Sequence, residues 1–302
     1  MKACGDKMSV YKYRRLDKFY NIFIGFFLII AAFACIYPVL YIIFASFSEP
    51  GRLMKHTGLL LSSLGFTTKG YDIALSYAGV RQGYLNTIFV VVAGTAVNLI
   101  LTVLGAFGLS RKGMMLRKPI TLLITFTMFF NGGLIPTYMV VKGVGLVDSL
   151  FSLILPVAVN TINLIIMRTS MVALPASVEE SAKMDGANDV TLLVKIIIPL
   201  VAPTMAVLAL YYIVGHWNSW FTAYLFIKTR TKYPLQLVLR EILIANTSNA
   251  AQTQGMDLSE MDLYKRLVKY CTTVIATLPI LFIYPFLQKY FVNGVMLGSI
   301  KE

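Results

Sequence analysis

The chain has 302 residues, is 57% hydrophobic and carries only 14% charged residues, where soluble domains average about 25%, and its mean hydropathy is +0.72. A soluble protein needs a charged surface however large its core, so a soluble fold is excluded and lipid is the expected solvent for much of the chain. The 27 Lys+Arg against 14 Asp+Glu give a net charge of +13. These cations fall in short tracts between apolar runs, which suits orientation in a membrane and argues against nucleic acid as a partner.

A bilayer crossing takes about 20 apolar residues at about 1.5 Å each, and six stretches qualify. Residues 1–18 form a basic tail with six Lys/Arg, and the first span runs Phe19–Phe47. Ala32-Phe33-Ala34 resembles a signal-peptide cleavage site, but the apolar run continues to Phe44, so an uncleaved anchor is expected. With its outer loop this segment covers 19–83. The second span, Tyr84–Leu109, leads into Arg111, Lys112, Arg117 and Lys118. The third, Pro119–Val141, is interrupted by Asn131-Gly132-Gly133 and Pro136, and the fourth, Leu150–Met167, by Ser152, Asn160, Thr161 and Asn163. The loop Arg168–Pro199 follows, then the fifth span Leu200–Ile227, a cation-rich loop 228–269, the sixth span Tyr270–Leu287, and a tail over 292–302.

The first tail and the link after span two are expected on the cytoplasmic side. Six crossings then place both termini and the loop 168–199 inside. The loop 228–269 runs against this, since it holds seven cations yet falls outside. Loops that long follow the rule less reliably. The three cysteines, Cys4, Cys35 and Cys271, are odd in number and two sit in apolar runs, so no disulfide framework is expected. Cys4 has no apolar stretch before it and is not expected to be a lipid-attachment site. With His56 and His216 as the only histidines, no metal site is expected either.

The loop Leu174–Asp189 reads as a helix, a tight turn and a second helix. Pro175 suits a first helical turn. Glu179 and Glu180 favour the N-terminal end of a helix dipole, and Glu179 stands four residues before Lys183. Gly186 is placed to stop the first helix, and Asn188 or Asp189 to cap a second that ends near Pro199. These residues alone also describe an ordinary amphipathic connector.

Glu180-Ser181-Ala182, three residues, Gly186, nine residues and Ile196-Ile197-Ile198-Pro199 resemble the EAA loop. That loop marks permease subunits of binding-protein-dependent ATP-binding-cassette (ABC) importers. Ser181 in place of the first Ala and Ile198 in place of Leu are mild departures. Phe130–Tyr138, Arg168 and Lys289–Gly298 look like the LplC-type branch of maltose-like sugar permeases. The resemblance runs from about Tyr84 to the C-terminus, covering a permease domain over 84–291, and is looser in the first span and outer loop.

The resemblance implies an all-α integral membrane protein of the cell membrane, with six transmembrane helices and a cytoplasmic EAA loop between the fourth and fifth. It implies a non-catalytic half of a translocation pathway for a carbohydrate of oligosaccharide size. The implied partners are a second, homologous permease forming a heterodimer, two ATPase subunits and an extracytoplasmic solute-binding protein. Glu180, Ser181, Ala182, Asp185, Gly186 and Pro199 then belong to the surface and frame that couple the pore to the ATPase, and Asn293–Glu302 reaches toward the same subunits. The chain has no phosphate-cradling Gly-x-x-x-x-Gly-Lys-Ser/Thr motif, so it is expected to bind no cofactor itself, with ATP and Mg belonging to the partner. A secondary, ion-coupled transporter is the competing class, but such proteins hold charged residues near the midplane. The span interiors here contain no Asp, Glu, Lys or Arg, and they hold no catalytic set.

For the pathway itself the candidates are His216, Trp217, Asn218 and Trp220 in span five, and Asn131 and Pro136 in span three. Two readings stay open for them. Polar and aromatic groups at this depth line a wet cavity, or they hydrogen-bond, pack and anchor between helices. Asn131 to Pro136 forms either a gate or a packing kink. Arg168 is expected to snorkel to the interface, and Gly105 and Gly108 to allow close helix packing. The loop 228–269 is read as a solvated surface or as a contact for the binding protein.

Overall fold

The structure, a computed structural model, describes residues 3–77, 79–111, 113–248, 264 and 267–282. All regular structure among them is helical. The chain divides into two compact units: Met1–Ala74 with Gln252–Val274, and Leu75–Ala251 with Ile275–Glu302.

In the first unit, α1 is a single helix, Ala3–Ser46, that carries Pro38 inside it. Its stretch Tyr20–Ser46 is long and apolar enough to cross a membrane. Phe23, Phe26, Phe27 and Ile29 are all more than half exposed. Leaving such side chains in water forfeits about 1.5–3 kcal/mol each, so this surface suits hydrocarbon. The chain after α1 forms the short helices α2, Pro50–Lys55, and α3, Lys69–Ser76. It is held by polar groups at the end of α1. Leu60 N donates to the Tyr37 hydroxyl at 2.9 Å, Leu64 N donates to Ser48 Oγ at 3.0 Å, and Ser46 Oγ pairs with the Tyr71 hydroxyl at 2.7 Å. Gly70 is required here, because a Cβ would lie 2.7 Å from Cys271 Sγ.

The second unit is built around α4, Val80–Ser110. A polar stripe on α4 fixes its surroundings. Asn86 Nδ2 donates to the carbonyls of Thr231 and Tyr233 at 2.8 and 3.0 Å, and Thr87 Oγ1 accepts from Leu235 N at 2.8 Å. These bonds seat α12, Leu235–Ser248, against the start of α4. One apolar cluster joins Val103, Ala106 and Leu109 of α4 to Leu164, Met167, Met171, Ala182, Leu192 and Leu208. A second joins Val90 to Val141, Ile154, Phe226 and Leu237. Gly105 permits a close approach, since a Cβ would meet Leu164 Cδ1 at 3.1 Å, whereas Gly108 meets nothing within 4 Å and the packing expected of it is not found.

The segments expected as spans three to five are broken rather than continuous. The third is α5, Arg117–Phe129, and α6, Leu134–Gly143, bent by 116°; the fourth is Leu150–Val157 and α7, Thr161–Val172, bent by 51°. The fifth, Leu200–Ile227, is made of α10, Ala202–Trp217, and α11, Trp220–Phe226, and α9, Asp189–Leu200, of the loop before it meets α10 at 81°. Among the described residues, two helices are long and apolar enough to cross a membrane, or up to five with each bent pair as one span. The sixth expected span is described only as α13, Leu267–Phe282, and the tail 292–302 lies outside the described residues.

The breaks have local causes. Gly133 adopts φ 90° before α6, a region that only glycine enters freely. Asn160 caps α7 through its side chain, which accepts from Asn163 N. In α9 the run Leu192–Ile197 is π-helical. Pro199 follows it, and a proline inside a helix removes one backbone bond and crowds the carbonyl four residues earlier. The wider winding relieves that crowding, and the chain turns at Val201.

Candidate functional site

The loop expected to carry coupling folds as α8, Ala176–Met184, a tight turn, and α9. Gly186 has φ 78°. Its N–H donates to Lys183 O at 3.0 Å, and Ala187 N donates to Ala182 O at 2.9 Å, which together make a Schellman stop. Asn188 Oδ1 then accepts from Thr191 N at 2.8 Å and caps α9.

Glu180, Ser181, Asp185 and Gly186 are exposed together at this turn. Met184, which the sequence reading did not single out, is 88% exposed beside them. Ala182 is placed differently. It is 5% exposed and turned into the core with Leu109, Met167 and Leu192, so its small side chain serves packing within the chain. Pro199 sits at the far end of α9, away from the turn.

Glu179 also points inward, toward the end of α4. Its Oε2 lies 2.7 Å from Arg111 Nη1, and Oε1 accepts from Lys183 Nζ at 2.8 Å. The Lys183 hydrogen bond and the Arg111 guanidinium hold this carboxyl below the usual range. Arg111 in turn stacks over the Phe107 ring, 4.4 Å from its centre, and donates to Ser110 Oγ. A cleft of about 740 Å³ opens beside the pair, lined by Ser110, Arg117, Glu180 and Asp189 among others. Arg168, expected to snorkel, donates from Nε to Leu109 O at 3.1 Å and caps α4.

A larger cavity of about 1070 Å³ lies among α4, α6, α7 and α10. Asn131, His216 and Asn218 line it, joined by Asn98, Asn160, Asn163 and Tyr212. His216 is 4% exposed, and its Nε2 meets Asn98 Oδ1 at 2.9 Å. Asn98 Nδ2 donates to Val157 O at 2.7 Å, and the Thr102 and Tyr212 hydroxyls pair at 2.8 Å.

Trp217, Trp220 and Pro136 stand outside this lining. Trp217 is 5% exposed, and its Nε1 donates to Ala276 O at 3.0 Å, a packing role. Trp220 stacks with the Arg240 guanidinium at 4.4 Å. Pro136 is exposed in the first turns of α6.

A third polar cluster ties the turn after α6 to the turn after α11. Asp148 has φ 63° and accepts from Lys228 N at 2.9 Å, Thr229 N at 2.8 Å and Thr229 Oγ1 at 2.6 Å. Lys232 Nζ adds a contact at 3.1 Å. The hydrogen bonds from Thr229, then those from Lys228 and Lys232, hold this carboxyl well below the usual carboxylate range. Among the described residues no His, Cys, Asp or Glu cluster could hold a metal ion.

No protein-family model matches the sequence. The chain is 39% identical over 289 residues to the polygalacturonan/rhamnogalacturonan transport system permease protein YtcP of Bacillus subtilis (strain 168), covering 94% of this chain and 99% of that protein. It is 40% identical over 266 residues to protein LplC of the same organism, covering 88% and 89%. Among solved structures it is similar to a chain of a bacterial ABC transporter involved in the import of the acidic polysaccharide alginate. That match has a TM-score of 0.82 and 31% identity, and covers 92% of this chain and 98% of the other.

Proposed function

This chain is an integral membrane protein that belongs to the LplC-like branch of the ABC-importer permeases, and from that premise we propose that it forms half of a carbohydrate translocation pathway. The cargo is an oligosaccharide handed over by a solute-binding protein. The other half is a second, homologous permease, and two separate ATPase subunits bind ATP and Mg. The chain crosses the cell membrane six times with both termini in the cytoplasm. The cavity at Asn131, His216 and Asn218 is its share of the pathway.

The observation that carries this reading is the build of α8. One side offers Glu180, Ser181, Met184 and Asp185 to a partner, while Ala182 and Glu179 fasten the other to α4 and α7. A push on the exposed side therefore passes into the helices that wall the cavity. Swinging a two-state pore from 1:99 to 99:1 takes about 5.5 kcal/mol of differential binding, which ATP-driven closure of the partner subunits supplies through this helix.

Gly186→Asp tests the reading, because at φ 78° glycine is the residue at ease and the variant adds bulk and negative charge to the surface α8 offers its partner. The complex purified with its partners should still assemble, with transport into proteoliposomes lost. Full transport by this variant would remove the coupling role. Cysteine labelling that placed residue 180 on the outer surface would do the same.

A further inference from the structure

We propose that Glu179 and Arg111 are positioning residues that clamp the coupling helix to α4, and that Glu179, unlike its neighbour Glu180, makes no contact with the ATPase. The proposal rests on the reading of α8 as the coupling helix. Both carboxylate oxygens of Glu179 are occupied within the chain, one by Arg111 Nη1 at 2.7 Å and one by Lys183 Nζ at 2.8 Å. Arg111 is itself fixed from two further directions, by the Phe107 ring and by Ser110 Oγ. A side chain so restrained on α4 makes a firm anchor for a helix on the other side of a cleft.

The geometry gives the clamp a mechanical task. Arg111 follows directly on the last turn of α4, and Asn98, which holds His216 in the cavity wall, lies thirteen residues back on that helix. At about 1.5 Å per residue the two are about 20 Å apart along one rigid rod. Movement of α8 reaches the cavity through α4 when the ion pair holds, and the apolar contacts of Ala182 and Leu192 guide the same motion. Without the pair, α8 is free to slide over those contacts and the stroke is spent in the cleft. Arg111 is also the first cation after a long apolar helix, so an interface anchor would use the same residue, but an anchor would not need Glu179.

The test uses the full complex with its partner permease, ATPases and binding protein in proteoliposomes. Arg111→Gln and Glu179→Gln should each leave assembly and basal ATP hydrolysis intact, while cargo delivered per ATP falls about fivefold, the low end of coupling between linked sites. Arg111→Lys, which keeps the charge, should retain most of the coupling. The exchanged pair Arg111→Glu with Glu179→Arg should recover part of what either single variant loses. Parental coupling in both Gln variants would overturn the clamp, as would equal losses in Arg111→Lys and Arg111→Gln. If Gly186→Asp blocks transport while the Gln variants do not, only the clamp falls. If Gly186→Asp also transports normally, the coupling reading falls with it.

Discussion

Gly94→Ala concentrates the structural reasoning about the cavity in one methyl group. A Cβ at position 94 would lie 2.5 Å from His216 Nε2, 2.8 Å from Cε1 and 2.9 Å from Cδ2. Ordinary non-bonded contact begins at about 3.5 Å, so the ring must retreat by about 1 Å. The ring is 4% exposed and held at 2.9 Å by Asn98, one turn further along the same face of α4, and its open side is the cavity. A retreat of that size takes the His216–Asn98 distance beyond hydrogen-bonding range. Overpacking costs about 1–3 kcal/mol, and a buried polar pair left apart costs about 1–3 kcal/mol more. Alanine's better helix propensity returns about 1 kcal/mol, leaving a net loss of about 1–5 kcal/mol. The assay is the apparent Tm of the purified complex at one scan rate, since unfolding of such assemblies is read as a rate. Adding His216→Ala should relieve the clash, so that the double variant is less damaged than the two single losses together. A Gly94→Ala complex as stable as the parent, or strictly additive losses, would refute the packing described for α4 and α10.

Two further outcomes follow from the carboxylates. Asp148→Asn keeps a residue that tolerates φ 63° but weakens the bonds from Thr229 and Lys232, and should lower the apparent Tm by an amount corresponding to about 0.5–1.5 kcal/mol; Asp148→Ala should lower it further. Asp148 and Glu179 both have depressed values in the folded chain. Each therefore contributes stability that is fully present above the ordinary carboxylate value of about 4 and is lost as pH falls through the lowered one. The half-life of the complex should shorten progressively below about pH 4, and Asp148→Asn should flatten that dependence. An unchanged pH profile in Asp148→Asn would show that the Asp148 cluster does not contribute.

Features set by nearby residues were legible in the sequence. Pro175, Gly186 and Asn188 act within one or two turns of themselves, and α8, its stop and the cap of α9 form where their spacing places them. Hydropathy located the apolar runs but averaged across short interruptions, and the break in span three is legible only from its residue types, Asn131-Gly132-Gly133 and Pro136. Asn160, a polar interruption of an apolar run in the sequence, is a helix cap in the fold. The π-helical run has no marker except Pro199, which cannot reveal how the preceding turn is wound. Partners far apart in the chain were beyond reach altogether. Nothing local ties Arg111 to Glu179, or Asn98 to His216, and Trp217 gives no hint that its indole meets the carbonyl of Ala276. Tryptophan fits a sugar wall and a packed helix equally well until its neighbours are known.

The π-helical winding at Leu192–Ile197 also decides where this molecule tolerates changes in length. A π turn holds one residue more than an α turn requires. Losing one residue there lets the stretch tighten to ordinary winding while both flanks keep their phase. The same loss inside α10 would swing everything after it by about 100° and carry His216 off the face that meets Asn98. The joint between α8 and the membrane-embedded helices thus contains a spare residue, the one point along this path where the chain has slack.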